Sequence, residues 1–473
     1  MTKIEDNFNG YLQIGDDGFV YNVNGHIVSL MPTEDDLDKK LEIVKGLCSK
    51  NNTLPEFIYG DDNYYKVAFF RNTEFTQPNF LYPIAIFSTP LIIKSTGNTG
   101  TFYDDLSGRW NKFNSITFCG GSINSLFNPR NAVESLDMQK IISGGAIGIG
   151  IRPNVENTKR IDCNINGEKS TFTISVDKAF GKNGDDRTRA YSLGELNSII
   201  CLDFEEEQDF DRIPEYYKIV KSLVSILIGQ NNVFFDIYVS RTPKGEKSRK
   251  TGSCKFADKY QNYANVAYGK AIHLLEIFEC IPKLISIIES KEADVLLSLL
   301  PVDNRDVHRV SITDIQNICT ALEVAYNWQK ISRGKDELIK ELKKDIKKAI
   351  KDFLKRKEEE NVDIDIYKKT TINSAFKYLD YTLKEKILAL YRENEETINE
   401  IIKRHSLPPI NYETVHNFVK LRDNKAHAGL VDWGDRANIY YSLLAIIYLC
   451  LFKKAELDDE TAKKAVMRFF GVN

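Results

Sequence analysis

Most of the signatures that assign a protein quickly are missing from this chain. Its 473 residues carry 64 Lys+Arg against 67 Asp+Glu, a formal charge of −3, so no global basic field announces nucleic acid. The eight cysteines include no CxxC pair and no Cys/His group at zinc spacing, and several lie in apolar runs such as Ile446–Phe452. Buried, reduced thiols are the expectation, with no metal and no cofactor. No run reaches the ~18 apolar residues of a membrane span; the best, Ile439–Phe452, is shorter and carries Tyr and Ser. The opening MTKIEDNFNG lacks the charged-then-apolar pattern of a signal peptide. A cytoplasmic protein without membrane contact is expected. The sequence also lacks a GxSxG elbow, an HExxH helix, a kinase signature, an internal repeat and a long low-complexity segment.

Some fragments come close to a motif and fail. Gly144–Gly150 has closely spaced glycines but no Lys-Ser/Thr ending, and Arg152-Pro153 follows where a helix should begin, so a glycine-rich β segment is the better reading. The acidic group Glu205, Glu206, Glu207, Asp209 and Asp211 could hold a divalent ion, yet it lies just ahead of a predicted helix start, where negative charge complements the dipole. His26, His273, His308, His405 and His416 have no convincing partner in sequence, and surface or hydrogen-bonded structural roles are their default.

What is present is ample apolar material, 42% of residues, with 28% charged. That suits globular cores, and the length exceeds the about 250–300 residues at which one core stops growing. From residue 301 onward 31 basic residues face 28 acidic ones, a net of +3, which leaves −6 before it. This permits an RNA-facing C-terminal region without demanding one. Up to residue 240 short β-branched and aromatic stretches alternate with turns, as at Tyr11–Ile14, Phe19–Val23, Tyr65–Phe70, Ile84–Ile93 and Thr171–Val176. Asn24-Gly25 and Asn166-Gly167 are hairpin signals. Pro214 and Gly229 bracket an embedded helix, and Val233–Val239 reads as a further strand. The basic stretch RTPKGEKSRKTGS, 241–253, reads as a linker. Helical spacing then dominates, at 265–299, 311–331, 335–359, 383–404, 412–424 and 435–453. In 335–359 the residues Leu338, Leu342, Ile346, Ala349, Ile350 and Phe353 form an apolar stripe. The expectation is an α+β multidomain chain: a β-rich domain over 1–240, a basic linker over 241–262, connecting helices over 263–304 and a helical bundle over 305–473.

A single constellation carries chemistry. In Tyr412–Gly429 an arginine, Arg422, precedes a histidine, His427, with four residues between. The spacing alone discriminates little, so its context decides. Val415, Phe418, Val419 and Arg422 share a helical face, which sets a guanidinium at the end of an apolar stripe, where arginine needs a partner. Positions five apart on an unbroken helix point about 140° away from each other. Both side chains therefore meet one phosphate only if the helix ends or bends near Asn424, a residue suited to a left-handed C-cap. Otherwise the arginine is a paired structural residue and the histidine a helix-end one.

Arg422-Asp423-Asn424-Lys425-Ala426-His427 resembles the R-x4–6-H motif of HEPN domains, in which Asn, Asp or His commonly follows the arginine. Ser311–Tyr326, with Ala321-Leu322-Glu323, looks like the opening helix of such a bundle, and the likeness covers about residues 305–470. The layout, with fragments such as Phe118–Phe127, is similar to the ApeA-type proteins of bacterial anti-phage defence. The resemblance implies a metal-independent endoribonuclease whose active site is Arg422 and His427, with Asp423 and Asn424 supporting the motif. It implies a homodimer that brings two motifs to one cleft, RNA as substrate, and an N-terminal domain that senses a phage-derived trigger or restrains the nuclease. A non-catalytic HEPN module binding RNA or a partner protein is the alternative. A hydrolase in the β-rich region finds no nucleophile–base pair in the sequence, while a carbohydrate-binding role there stays open.

Overall fold

The computed structural model of the chain describes residues 4–49, 54–62, 64–79, 81–95, 110–129, 158–178, 196–241, 249–257, 271–302, 310–329, 336–360, 382–425 and 438–472. Two compact units emerge, one formed by Met1–Glu289 with Val302–Asn304, the other by Ser290–Pro301 with Arg305–Asn473. The α+β expectation holds: strands dominate the first unit and helices the second. Residues Gly144–Gly150, His308 and His427 lie outside the described residues.

The described strands of the first unit form one antiparallel sheet in the order β6-β3-β2-β1-β4-β5-β7-β13-β12-β8-β11-β10-β9. They are β1 (Asn7–Ile14), β2 (Asp17–Asn24), β3 (Ile27–Pro32), β4 (Phe57–Asp61), β5 (Lys66–Phe70), β6 (Ala85–Ser88), β7 (Leu91–Ser95), β8 (Lys112–Cys119), β9 (Lys159–Ile165), β10 (Glu168–Lys178), β11 (Leu196–Asp209), β12 (Asp236–Arg241) and β13 (Arg249–Phe256). Both hairpin signals are realised. Gly25 (φ 63°) turns β2 into β3, and Asn166 (φ 52°) with Gly167 (φ 85°) turns β9 into β10. Alternation sets the inner face of the first strands, where Leu12, Phe19, Tyr21, Val28 and Leu30 pack with Phe69, Phe87 and, from α1 (Leu37–Ser49), Val44 and Leu47. Gly10 is required here, because a Cβ would lie 2.0 Å from the Asp61 carbonyl oxygen and 2.5 Å from the Tyr21 hydroxyl.

Several readings change. Ile84–Ile93 is not one strand: Thr89-Pro90 separates β6 from β7, since proline cannot continue the ladder. Val233–Val239 starts later, as β12 at Asp236. The third change is larger. The basic linker expected over 241–262 contains β13, which lies between β7 and β12 in the interior of the sheet. Polar composition hid it; small residues fit it there, and a Cβ on Gly252 would sit 2.6 Å from Val239 Cγ2. Fourth, the first unit does not end at 240 but runs to Glu289. Helix α2 (Gly121–Leu126) leads from β8 towards α3 (Ile213–Ile228), and α4 (Ile281–Glu289) packs on β9 and α3. Helix α3 carries Pro214 in its first turn, where proline is tolerated, and closes on Gly229, whose left-handed φ 70° and ψ 28° let its N–H reach the Ser225 carbonyl. The helical spacing read over 265–299 resolves into short pieces, with a 3-10 turn at Phe278–Cys280, then α4, Lys291 at φ 62°, and α5 (Asp294–Leu297).

In the second unit α5 is followed by α6 (Ile312–Trp328), α7 (Asp336–Glu359), α8 (Leu383–Arg392), α9 (Glu395–His405), α10 (Tyr412–Lys425), α11 (Tyr440–Lys454) and α12 (Asp459–Phe469). Helix α6 opens on a capping box in which Ser311 and Asp314 satisfy each other's backbone N–H. It packs against α5, α8, α10 and α11, and α11 is buried on nearly every side, from Tyr440 to Phe452. The helix expected over 383–404 is two, α8 and α9, because Asn394 is 7% exposed and turns its amide back to the Leu390 carbonyl. The apolar stripe expected on 335–359 is present on α7 but not covered along its length: Leu342 is 47% and Phe353 50% exposed, while Leu354 is buried.

Candidate functional site

Helix α10 places the arginine of the motif. Pro408 and Pro409 precede it, and Asn411 starts it. The Asn411 Oδ1 accepts from the Thr414 N–H at 2.9 Å, and the Thr414 hydroxyl oxygen accepts from the Asn411 N–H at 3.0 Å. The helix then buries Val415, Phe418, Val419 and Leu421 against α6 and α8. Arg422, half-buried, follows at the C-terminal end of that stripe, so the predicted shared face is real. A cation also suits this end of a helix, where unsatisfied carbonyls concentrate negative potential.

The helix is expected to end or bend near Asn424, and its described residues run one position further, to Lys425. The backbone is helical through Asp423, Asn424 and Lys425, so Asn424 is a helical residue rather than a left-handed cap. Helix propensity explains the difference: Asn disfavours a helix interior by only a few tenths of a kcal/mol, too little to end one whose packed face continues to Leu421 and Arg422. His427 follows Lys425 by two positions and lies outside the described residues.

On the same helix sits a group that sequence reading missed. The Lys384 ammonium, on α8, is 3.1 Å from His416 Nδ1 on α10. Lysine has only protons to give, so in this bond Nδ1 accepts and the ring proton belongs to Nε2. The His416 ring lies parallel to that of Tyr412, at 6.2 Å between centroids and an interplanar angle of 2°, and Lys384 Nζ stands 5.3 Å from the Tyr412 centroid. Tyr412 is 63% exposed. Its i, i+4 spacing to His416 was legible; the contact with Lys384, set by helix packing, was not.

Other candidates resolve into structure. His26 Nδ1 lies 3.1 Å from the Thr89 carbonyl, and His405 Nε2 bonds the Phe470 carbonyl. In the acidic segment Glu207 pairs with Arg241 Nε at 2.6 Å and Asp209 with Lys112 at 3.0 Å. Among the described residues no group of three His, Cys, Asp or Glu side chains is placed to hold a metal ion. The Lys94–Asp62 pair, 2.6 Å apart with side chains 12% and 8% exposed, is enclosed by the Phe8 ring 3.5 Å from the ammonium and is a structural tie. All eight cysteines are free thiols. Burial pushes Cys201, Cys280 and Cys450 up to about 12, which leaves them poor nucleophiles. Among the described residues no helix is long and apolar enough to cross a membrane.

No family model, no curated protein and no solved structure matches the chain.

Proposed function

We propose that the chain is a homodimeric, metal-independent endoribonuclease of the HEPN type, an effector of abortive-infection defence whose N-terminal unit senses a phage-derived trigger or restrains the nuclease. The observation that carries this reading is the position of Arg422. It ends a buried apolar stripe on α10, in a unit built of packed helices, five positions before His427. In the proposed reaction the ribose 2′-oxygen attacks the adjacent phosphorus and the bond from phosphorus to the 5′-oxygen breaks. The products are a 2′,3′-cyclic phosphate and a free 5′-hydroxyl. His427 transfers the proton, either from the 2′-hydroxyl or to the leaving oxygen, because an imidazole titrates near neutral pH. Arg422 holds the pentavalent phosphorane through a charged fork that spans two oxygens. One motif supplies one acid/base histidine while the reaction uses two proton transfers, so two chains are needed. Asp423 and Asn424 carry no proton in this scheme.

The test is cleavage of single-stranded RNA by the purified chain in the presence of a chelator. Arg422→Ala and His427→Ala should each lower the rate by about 100-fold or more, with fold and dimer intact. Cleavage at the wild-type rate by both variants, or cleavage abolished by the chelator, overturns the proposal. A second reading is a HEPN module that binds RNA or a partner protein without cutting, favoured by the helical backbone at Asn424, where the catalytic reading needs the chain to end or bend nearby. That reading expects no cleavage from the wild-type chain.

A further inference from the structure

We infer that Tyr412, backed by His416 and Lys384, is a stacking platform for an unpaired base of single-stranded RNA, next to the Arg422 site. The inference rests on the ribonuclease reading above for its choice of ligand. Three observations converge on it. Among the large apolar side chains described in the second unit, Tyr412 is strongly exposed, at 63%, yet its ring is already held parallel to a second ring, that of His416. An exposed ring without a partner samples many rotamers; one fixed by stacking is preorganised and loses less entropy when a base is laid on it. The Lys384 ammonium beside both rings supplies positive charge where the phosphates flanking a stacked base would run. Because Nδ1 of His416 accepts from Lys384, its Nε2–H is the donor, directed away from that bond.

Placement relates the platform to the site. Ten residues separate Tyr412 from Arg422 on one helix, a rise of about 15 Å and a rotation of about 80°. The two side chains thus lie on one half of the α10 surface, a distance that a few nucleotides of extended strand cover. Arg422 would grip the scissile phosphate and Tyr412 a base upstream or downstream of it. A duplex, whose bases are already stacked, gains nothing from such a ring, so the platform selects for single strands.

The experiment measures binding of a short fluorescent 2′-O-methyl oligoribonucleotide, which lacks the attacking hydroxyl and lets the full-length wild-type chain be used uncut. Tyr412→Ala should weaken binding by about tenfold, and Tyr412→Phe should retain it. Because the side chain is exposed, the substitution leaves the core in place, which an unchanged thermal melt verifies. Equal binding by wild type and Tyr412→Ala overturns the platform and leaves the nuclease to its own cleavage test. Loss of binding in both Tyr412→Ala and Tyr412→Phe also overturns it, since the ring alone should suffice. Tyr412-dependent binding by a chain that never cleaves native RNA keeps the platform and removes the nuclease.

Discussion

Burial governs the residues most able to titrate above neutrality. Cys280 and Cys450 are pushed up to about 12 by desolvation, as is Cys201, while burial also raises the Tyr21, Tyr440 and Tyr448 phenols. At a pH between its two values, an acid whose pKa is higher folded than unfolded keeps its proton only in the native state. The unfolded chain then sheds protons first, so stability is intact below the unfolded thiol value, about 8.5, and falls as pH rises through it. For each of these thiols the loss reaches about 2 kcal/mol by about pH 10. Urea denaturation should therefore show a midpoint that declines steadily from about pH 8 to about pH 10, in both units. A flat midpoint over that window, with free thiols verified, would contradict the burial assigned to these groups. Cys280 and Cys450 were legible as buried from their apolar neighbours, whereas Cys48, Cys119, Cys163 and Cys201 are only partly buried, against the expectation. The Lys384–His416 contact was not, because its partners are 32 residues apart and meet only when α8 packs on α10.

Among elements, α10 decides most. Its buried face was readable from spacing, since Val415, Phe418, Val419 and Arg422 recur as a packed helix requires. The helical state of Asn424 was not, because the residue types that cap helices also sit inside them at small cost. The two possibilities predict opposite signs for Asn424→Ala. In a continuous helix alanine is the better residue and should stabilise the second unit by about 0.5 kcal/mol, whereas at a left-handed cap it should cost about 1 kcal/mol. Thermal melts of the full chain with that single change measure which holds; a lowered midpoint would restore the break at Asn424. Strand β13 was illegible for a related reason. Its Lys, Arg, Thr, Gly and Ser read as loop by composition, but position in the sheet interior follows from hydrogen bonds to β7 and β12 and from the space that only Gly252 leaves beside Val239. Turns signalled by backbone chemistry, Asn24-Gly25 and Asn166-Gly167, were legible because few residues accept positive φ.

At the scale of the whole molecule, the α+β division was visible as a change in periodicity, but its boundary was displaced. Helix α4 looks like the start of the helical region by sequence, yet it packs on β9 and α3 of the first unit. Periodicity identifies an element without saying which core receives its apolar face. The same reasoning constrains the proposed active site, since one chain holds a single Arg422 and a single His427. If catalysis uses groups from two chains in one cleft, Arg422→Ala and His427→Ala dimers each lack one kind of group twice. A mixed dimer retains one arginine and one histidine. Mixing the two inactive variants under conditions that exchange subunits should then recover RNA cleavage above either alone, in proportion to the fraction of mixed dimer measured by differential tagging. If subunits exchange and no activity returns, one arginine and one histidine do not suffice in the cleft, which leaves either both histidines essential to the two proton transfers or each motif acting within its own chain.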